Sequence, residues 1–197
     1  MSRMGLNLER ILQAAAEIAD SHGLDEVTLA LLAKKLNVRS PSLYNHIEGL
    51  PWLRQQLACY GIKKLNSILT FAAVGRSQDE AVHAIAKAYV DFVREHPGLY
   101  DATVRTPEWS DPETQKVAGE TVELLARVFQ AYGLEGDDAV HVVRGLRSMV
   151  HGFASLEQTG NFNIPIDANV SLRILIDFFL EGIRSAAAKK DRANTEG

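Results

Sequence analysis

A histidine three residues after a glutamate, Glu80-x-x-His83, is half of a metal-binding arrangement. On a helix the two side chains share a face, and they hold iron only when a second such pair and further carboxylates stand opposite. No second Glu-x-x-His occurs in the 197 residues, so this one reads as an exposed helix face. His151 and Glu157 are six residues apart, which does not quite bring them to one face. His151 lies in an apolar helix beside Gly152, whose lack of a side chain predicts close approach of another helix. A buried, hydrogen-bonded histidine is the ordinary reading there, and a pocket residue is the alternative. Arg147 on the same helix needs a partner if it is buried, either an interface ion pair or a ligand anchor. Cys59 reads as a small apolar filler, and one cysteine with scattered histidines does not make a zinc site. There is no G-x-S-x-G, H-E-x-x-H, glycine-rich phosphate loop or C-x-x-C. No catalytic residues, metal or cofactor are expected.

A different chemistry is suggested by NVRSPSLYNHI, residues 37–47. Ser40, Pro41, Ser42, Asn45 and His46 are gathered on about two helical turns whose clear core anchors are Leu43 and Ile47. A helix that short does not hold itself together in water, so something must brace it from behind. The preceding TLALLAKKL supplies a helix opened by Thr28, and Asn37 stands at the turn, where it tolerates a left-handed backbone. Thr28–Ile47 therefore reads as helix, tight turn, helix, with Val38, Leu43 and Ile47 locking the second helix onto the first and onto a helix at 8–22. The outer face is left open to a duplex.

The positioning elements are helical throughout. Apolar residues recur at helical spacing, and no stretch alternates in the manner of a strand. Asn7 caps the first helix and Gly23 ends it; Ser40 is expected to cap the third, with Pro41 at its first position. Further helices are expected at about 51–73, 78–96, 98–104, 112–132, 137–160 and 167–189, with a loop through Thr106-Pro107 and a frayed tail over 190–197. The fold class is all-α, about nine helices. The expected domains are a helix-turn-helix domain at 1–50 and a helical domain at 51–197. The helices at 137–160 and 167–189 carry apolar residues beyond a single stripe, which is explained by a second copy packing there as a two-fold four-helix interface.

Bulk charge is uninformative: the chain carries a net −4, and its first 50 residues hold five Lys or Arg against six Asp or Glu. Any nucleic-acid partner must be read by local placement. One cysteine, no apolar run of membrane-spanning length, and an N-terminus (MSRMGLNLERIL) without a secretory pattern point to a cytoplasmic protein and no membrane partner.

The stretch ILQAAAEIADSHGLDEVTLALLAKKLNVRSPSLYNHIEGLPWL resembles the DNA-binding domain of the tetracycline-repressor (TetR) family of bacterial transcription regulators. The A-x-x-I-x-x-x-H-G opening (15–23), the Thr before the second helix, and L-A-x-x-L-x-V-x-x-x-x-L-Y-x-H carry the likeness. LRSMVHGFASLEQTGNF (146–162) further resembles a class of C-terminal domain in that family marked by HG-x-x-x-L-E.

The resemblance implies that 40–46 is a recognition helix in the major groove. Ser40, Pro41, Asn45 and His46, with Arg39 at the approach, would face base edges; Thr28, Ser42 and Tyr44 would hold phosphates. It implies a homodimer on a double-stranded DNA operator, released by a small-molecule effector. Tyr89, Phe92, Tyr100 and Trp109, with Arg147 and His151, are candidates to line its cavity, although aromatics at helical spacing are more often plain core. Two departures matter. Leu50 stands where the family usually has a phosphate-contacting Lys, and Leu29 and Ala30 stand where a DNA contact is common. Fewer charged contacts imply weaker nonspecific binding and a shallower salt dependence. The alternatives are a helical-bundle enzyme or metal-binding protein carrying an incidental helix-turn-helix, and a regulator without an effector.

Overall fold

The computed structural model describes residues 5–105 and 109–195. Among them it shows nine α-helices and no strand: α1 Leu8–His22, α2 Leu29–Leu36, α3 Ser40–Leu43, α4 Leu50–Ala73, α5 Gln78–Glu95, α6 Pro97–Arg105, α7 Pro112–Gln130, α8 Gly136–Gln158 and α9 Ala168–Thr195. A 3-10 turn at Leu24–Glu26, which the periodicity does not announce, follows α1. The all-α expectation holds, and α4 to α8 begin and end within one or two residues of their expected bounds.

Local chemistry explains most of the boundaries. Asn7 accepts from the Arg10 N–H at 2.9 Å, and Gly23 leaves α1 with φ of 95°. The Thr28 hydroxyl oxygen accepts from the Leu31 N–H at 3.3 Å. Asp167 accepts from the Asn169 N–H at 2.8 Å and so caps α9. Two expectations are corrected. Ser40 does not cap α3: the cap position is Arg39, without a side-chain hydrogen bond, and Ser40 and Pro41 are the first two helical residues. The tail expected from residue 190 is helical to Thr195, continuing an alanine run that favours helix. The loop expected at Thr106-Pro107 lies outside the described residues.

The chain divides into two compact units, the first comprising residues up to Leu65 with Glu95–Val117, the second Asn66–Arg94 with the chain from Ala118. In the first unit α6 packs along α1. A Cβ on Gly98 would stand 2.0 Å from the carbonyl carbon and oxygen of Ala19, so only glycine allows this approach. Ile11, Ala15, Leu32, Leu43, Leu53, Leu57 and Leu99 fill the interior between the helices of this unit. Cys59 is buried with Ile62 and Val117, and burial pushes its thiol above the ordinary range, as suits an apolar filler.

In the second unit Phe92, Phe129, Ile176 and Leu180 are fully buried. Three polar ties cross it. Arg94 of α5 pairs with Glu157 of α8 and donates from Nη1 to Asn169 of α9 at 2.9 Å. Asp79 accepts from the Tyr132 hydroxyl at 2.6 Å and from Arg184 at 2.7 Å. His83 meets Asp177 at 2.9 Å. Within one chain no other helix approaches Gly152 closely: a Cβ on it would meet nothing within 4 Å. The tight position is Gly145, where a Cβ would touch the Phe179 ring at 3.4 Å.

The last helix is apolar on two opposite sides. Leu172, Ile176, Leu180 and Ile183 are buried, while Val170, Ile174 and Phe178, displaced by half a turn, are exposed. Phe178 is 71% exposed. Leu156 at the end of α8 and Phe162, Ile164 and Ile166 between α8 and α9 are exposed as well.

Candidate nucleic-acid interface

The helix-turn-helix is built by one backbone choice and three apolar anchors. Asn37 ends α2 in the left-handed conformation (φ 54°, ψ 46°), and its N–H returns to the carbonyls of Ala33 and Lys34. The Val38 N–H also bonds the Ala33 carbonyl, at 3.0 Å. This double closure is the helix-end motif that a left-handed residue permits, and an Asn reaches it at lower cost than a branched residue. Behind the next segment Leu43 and Ile47 are buried and Val38 is half-buried. Burying a Leu or Ile contributes about 1.5–3 kcal/mol, enough to hold a segment that cannot stand alone.

The segment is shorter than expected. Regular α-helix covers Ser40–Leu43 only, and residues 44–46 form a turn. The Ser42 N–H bonds the Arg39 carbonyl at 2.9 Å, and the His46 and Ile47 N–H groups both bond the Leu43 carbonyl, at 2.8 and 3.1 Å. The turn therefore stays coiled enough to keep Asn45 and His46 on the outside.

Arg39, Ser40, Pro41, Asn45 and His46 are exposed, Tyr44 is 60% exposed, and Ser42 is half-buried. Thr28 is exposed at the start of α2; its oxygen is engaged as a cap acceptor, which leaves the hydroxyl proton to donate. The surface offers a guanidinium, an amide, an imidazole, two serine hydroxyls and a phenol within eight successive residues. Lys35, on α2, pairs with Glu17 at 2.8 Å. Within residues 39–46 the one lysine or arginine is Arg39.

The other candidates are placed as follows. Tyr89 and Phe92 are buried in the second unit, His151 is half-buried there and Arg147 is exposed on α8. Tyr100 is buried in the first unit, and Trp109, also in it, is 51% exposed with its carbonyl bonded by Gln115 at 2.7 Å. The six residues thus fall in two units rather than one. Glu80 pairs with Arg76 and His83 with Asp177, so both halves of the metal-like motif are engaged in ion-pair contacts. No cluster of three or more metal-ligating side chains occurs among the described residues. Sequence reasoning missed His96, which links Asp20 and Lys64 inside the first unit. Its one local signal is its place immediately before Pro97-Gly98, where a helix must restart.

Known proteins bear directly on this interface. A family model described as bacterial regulatory proteins of the tetR family matches residues 11–46, the span just built. A second, described as the tetracyclin repressor-like C-terminal domain, matches residues 82–179 and includes the HGFASLE stretch. The HTH-type transcriptional regulator YobS of Bacillus subtilis (strain 168) is 41% identical over 182 residues, covering 92% of this chain and 94% of that one. A solved structure of a protein of unknown function from Rhodococcus sp. RHA1 superposes with a TM-score of 0.79 at 22% identity, covering 92% of this chain and 98% of that one. A single-substitution TetR variant from Acinetobacter baumannii AYE, solved in complex with minocycline, superposes with a TM-score of 0.70 at 18% identity, covering 93% and 99%. The last two speak for the fold, and the family matches and the close relative speak for descent. With an outward-facing helix-turn-helix in place, the chain belongs to the TetR family of DNA-binding transcriptional regulators.

Proposed function

We propose that the chain is a cytoplasmic repressor that binds a pseudo-palindromic operator as a homodimer and leaves it when a small molecule occupies the C-terminal helices. The observation that carries this reading is the exposed polar face of Arg39–His46, held out by buried Leu43 and Ile47. Asn45 pairs bidentately with an adenine edge, Pro41 packs against a thymine methyl, and Ser40, His46 and Arg39 bond neighbouring edges. Thr28, Ser42 and Tyr44 hold phosphates and fix the register. DNA reading belongs to residues 1–50, and ligand binding and dimerisation belong to 51–197. No catalytic role is assigned to any residue.

The bare apolar faces of α8 and α9 support the homodimer. Val170, Ile174, Phe178 and Leu156 would be covered by the same residues of a second copy in a four-helix arrangement. The ligand site is placed in the second unit, on Tyr89, Phe92, Arg147 and His151; Tyr100 and Trp109 belong to the first unit and are left out of it. The minocycline complex of a protein of this fold supports a small organic effector. Release is a population shift: the effector favours a spacing of the two recognition segments that misses half-sites about 34–36 Å apart.

Selection of bound sequences from random DNA, repeated with candidate effectors, tests the whole reading. An inverted repeat is expected to be enriched, and enrichment to fall with the effector. No enrichment, or enrichment of a single asymmetric site, would contradict it.

A further inference from the structure

The ring of His96 ties three helices of the first unit together. Its Nδ1 lies 2.8 Å from Asp20 Oδ2 on α1, and its Nε2 lies 2.9 Å from Lys64 Nζ on α4. The other oxygen of Asp20 accepts the Leu99 N–H at 2.8 Å. His96 stands immediately before α6, and its carbonyl takes the Tyr100 N–H at 2.8 Å. Asp20 therefore caps α6 from a different helix and puts a carboxylate where the helix dipole favours one. Side-chain exposures of 25% for His96 and 17% for Asp20 shelter the contact from water.

The partners dictate the ring's state. An ionised carboxylate only accepts, so Nδ1 carries the proton; an ammonium only donates, so Nε2 is bare. The ring in this arrangement is neutral. The two helices it joins flank the helix-turn-helix: α1 packs on α2, which in turn packs on α3, and α4 starts at Leu50, three residues after Ile47.

We infer that His96 is a positioning residue for operator binding: its neutral ring braces α4 against α1, and protonating the ring weakens binding. This rests on the reading that residues 39–46 contact DNA. A proton on Nε2 would set an N–H against the N–H groups of Lys64 and a positive charge beside an ammonium, and the α4 tie would be lost while the Asp20 tie remained. Asp20 from α1 and Lys64 from α4 are charged groups within hydrogen-bond reach of the ring, and Glu95 precedes it in the chain. Lys63 is engaged with Glu113 at 2.7 Å and Glu17 with Lys35 at 2.8 Å. An imidazole side chain in general changes charge within about pH 5–8.

The test measures the dissociation constant for a selected operator at about pH 8 and about pH 6 in the wild type, His96→Gln and Lys64→Met. An amide keeps one donor and one acceptor but does not titrate, so His96→Gln should bind like the wild type at the higher pH. His46 is present in both proteins, so the ratio of the two constants isolates His96. The wild type should lose at least about fivefold more affinity than His96→Gln on acidification, the low end of measured couplings between sites. Lys64→Met, which lacks the α4 tie at either pH, should show the smaller loss of the amide variant and gives the same reading if His96→Gln fails to fold. Equal losses in the wild type and in whichever variant melts as the wild type does would overturn the inference. A wild type that selects no sequence at all would overturn the DNA reading and this role with it.

Discussion

Arg94 of α5 grips Glu157 of α8 with both arms of its guanidinium, Nε to Oε2 at 2.9 Å and Nη2 to Oε1 at 2.8 Å. The third nitrogen is shared between Asp91 at 3.0 Å and Asn169 at 2.9 Å. One side chain thus fastens the end of α5 to the end of α8 and the start of α9. Glu157, by bonding to it, holds the guanidinium firmly charged and raises its pKa. A planar fork matches a carboxylate in a way that a single ammonium cannot. Arg94→Lys should therefore lose most of what Arg94→Ala loses, about 1–2 kcal/mol after allowance for the 31% exposure of the arginine, as read by urea denaturation.

Tyr132 and Asp79 make a pH-dependent prediction. The phenol hydrogen bond, and then Arg184, hold the Asp79 carboxyl below the ordinary carboxylate range, against the effect of burial. A carboxylate whose pKa is depressed on folding contributes stability above its unfolded value and loses it as pH falls through the folded one. Asp79 is half exposed, so Tyr132→Phe should cost only about 1 kcal/mol at neutral pH. The deficit should begin to shrink only as pH falls below the ordinary carboxylate range, about 4, and through the depressed folded value, where Asp79 becomes neutral in the wild type as well. Melting curves of the two proteins across acid pH check this.

The apolar outer face of α9 predicts an oligomeric change. Phe178→Asp, with or without Ile174→Asp, places charge on a surface proposed to be covered by a second copy and should give a monomer by light scattering at concentrations where the wild type is a dimer. Because the face is bare within one chain, helicity should be retained. Operator affinity should fall sharply, since two half-sites would no longer be bound together.

Gly98 sits against the backbone of Ala19, and that contact cannot give way as a flexible side chain would. Gly98→Ala should destabilise the protein by about 1–3 kcal/mol, the usual cost of overpacking, although alanine is the better helix former. Thermal unfolding compared with that of Gly119→Ala, exposed on α7 where the added methyl meets nothing within 4 Å, provides the internal control.

The helices were legible because apolar spacing, caps and turn residues agree locally. Asn7, Thr28 and Asp167 cap as their types suggest, and Asn37 adopts the left-handed geometry that the turn demands. What escaped the sequence depends on distant neighbours or on competition between nearly equal choices. Ser40 and Arg39 compete for one cap position, and Pro41 is compatible with either of the first two helical residues. A glycine in a helix signals close packing within one chain at Gly98 and Gly145 but not at Gly152, and only the partner element distinguishes them. The link from His96 to Asp20 spans 76 positions and that to Lys64 spans 32, so no local pattern reveals it. Tyr100 and Trp109 share an aromatic character with Tyr89 and Phe92 but belong to a different unit. Placement on the polar face of Arg39–His46 was readable, since alternation of Leu43 and Ile47 with polar neighbours decides which side is turned outward.

The most direct measurement is the affinity of the double variant Asn45→Ala, His46→Ala for an operator selected by the wild type, with melting temperature recorded alongside. Both side chains are exposed, so the variant should melt within a few degrees of the wild type. Its specific affinity should fall by about 1–3 kcal/mol per lost base contact, roughly tenfold or more, while its affinity for unrelated DNA stays nearly constant. A folded variant that binds the operator as tightly as the wild type would contradict the assignment of this face to base reading.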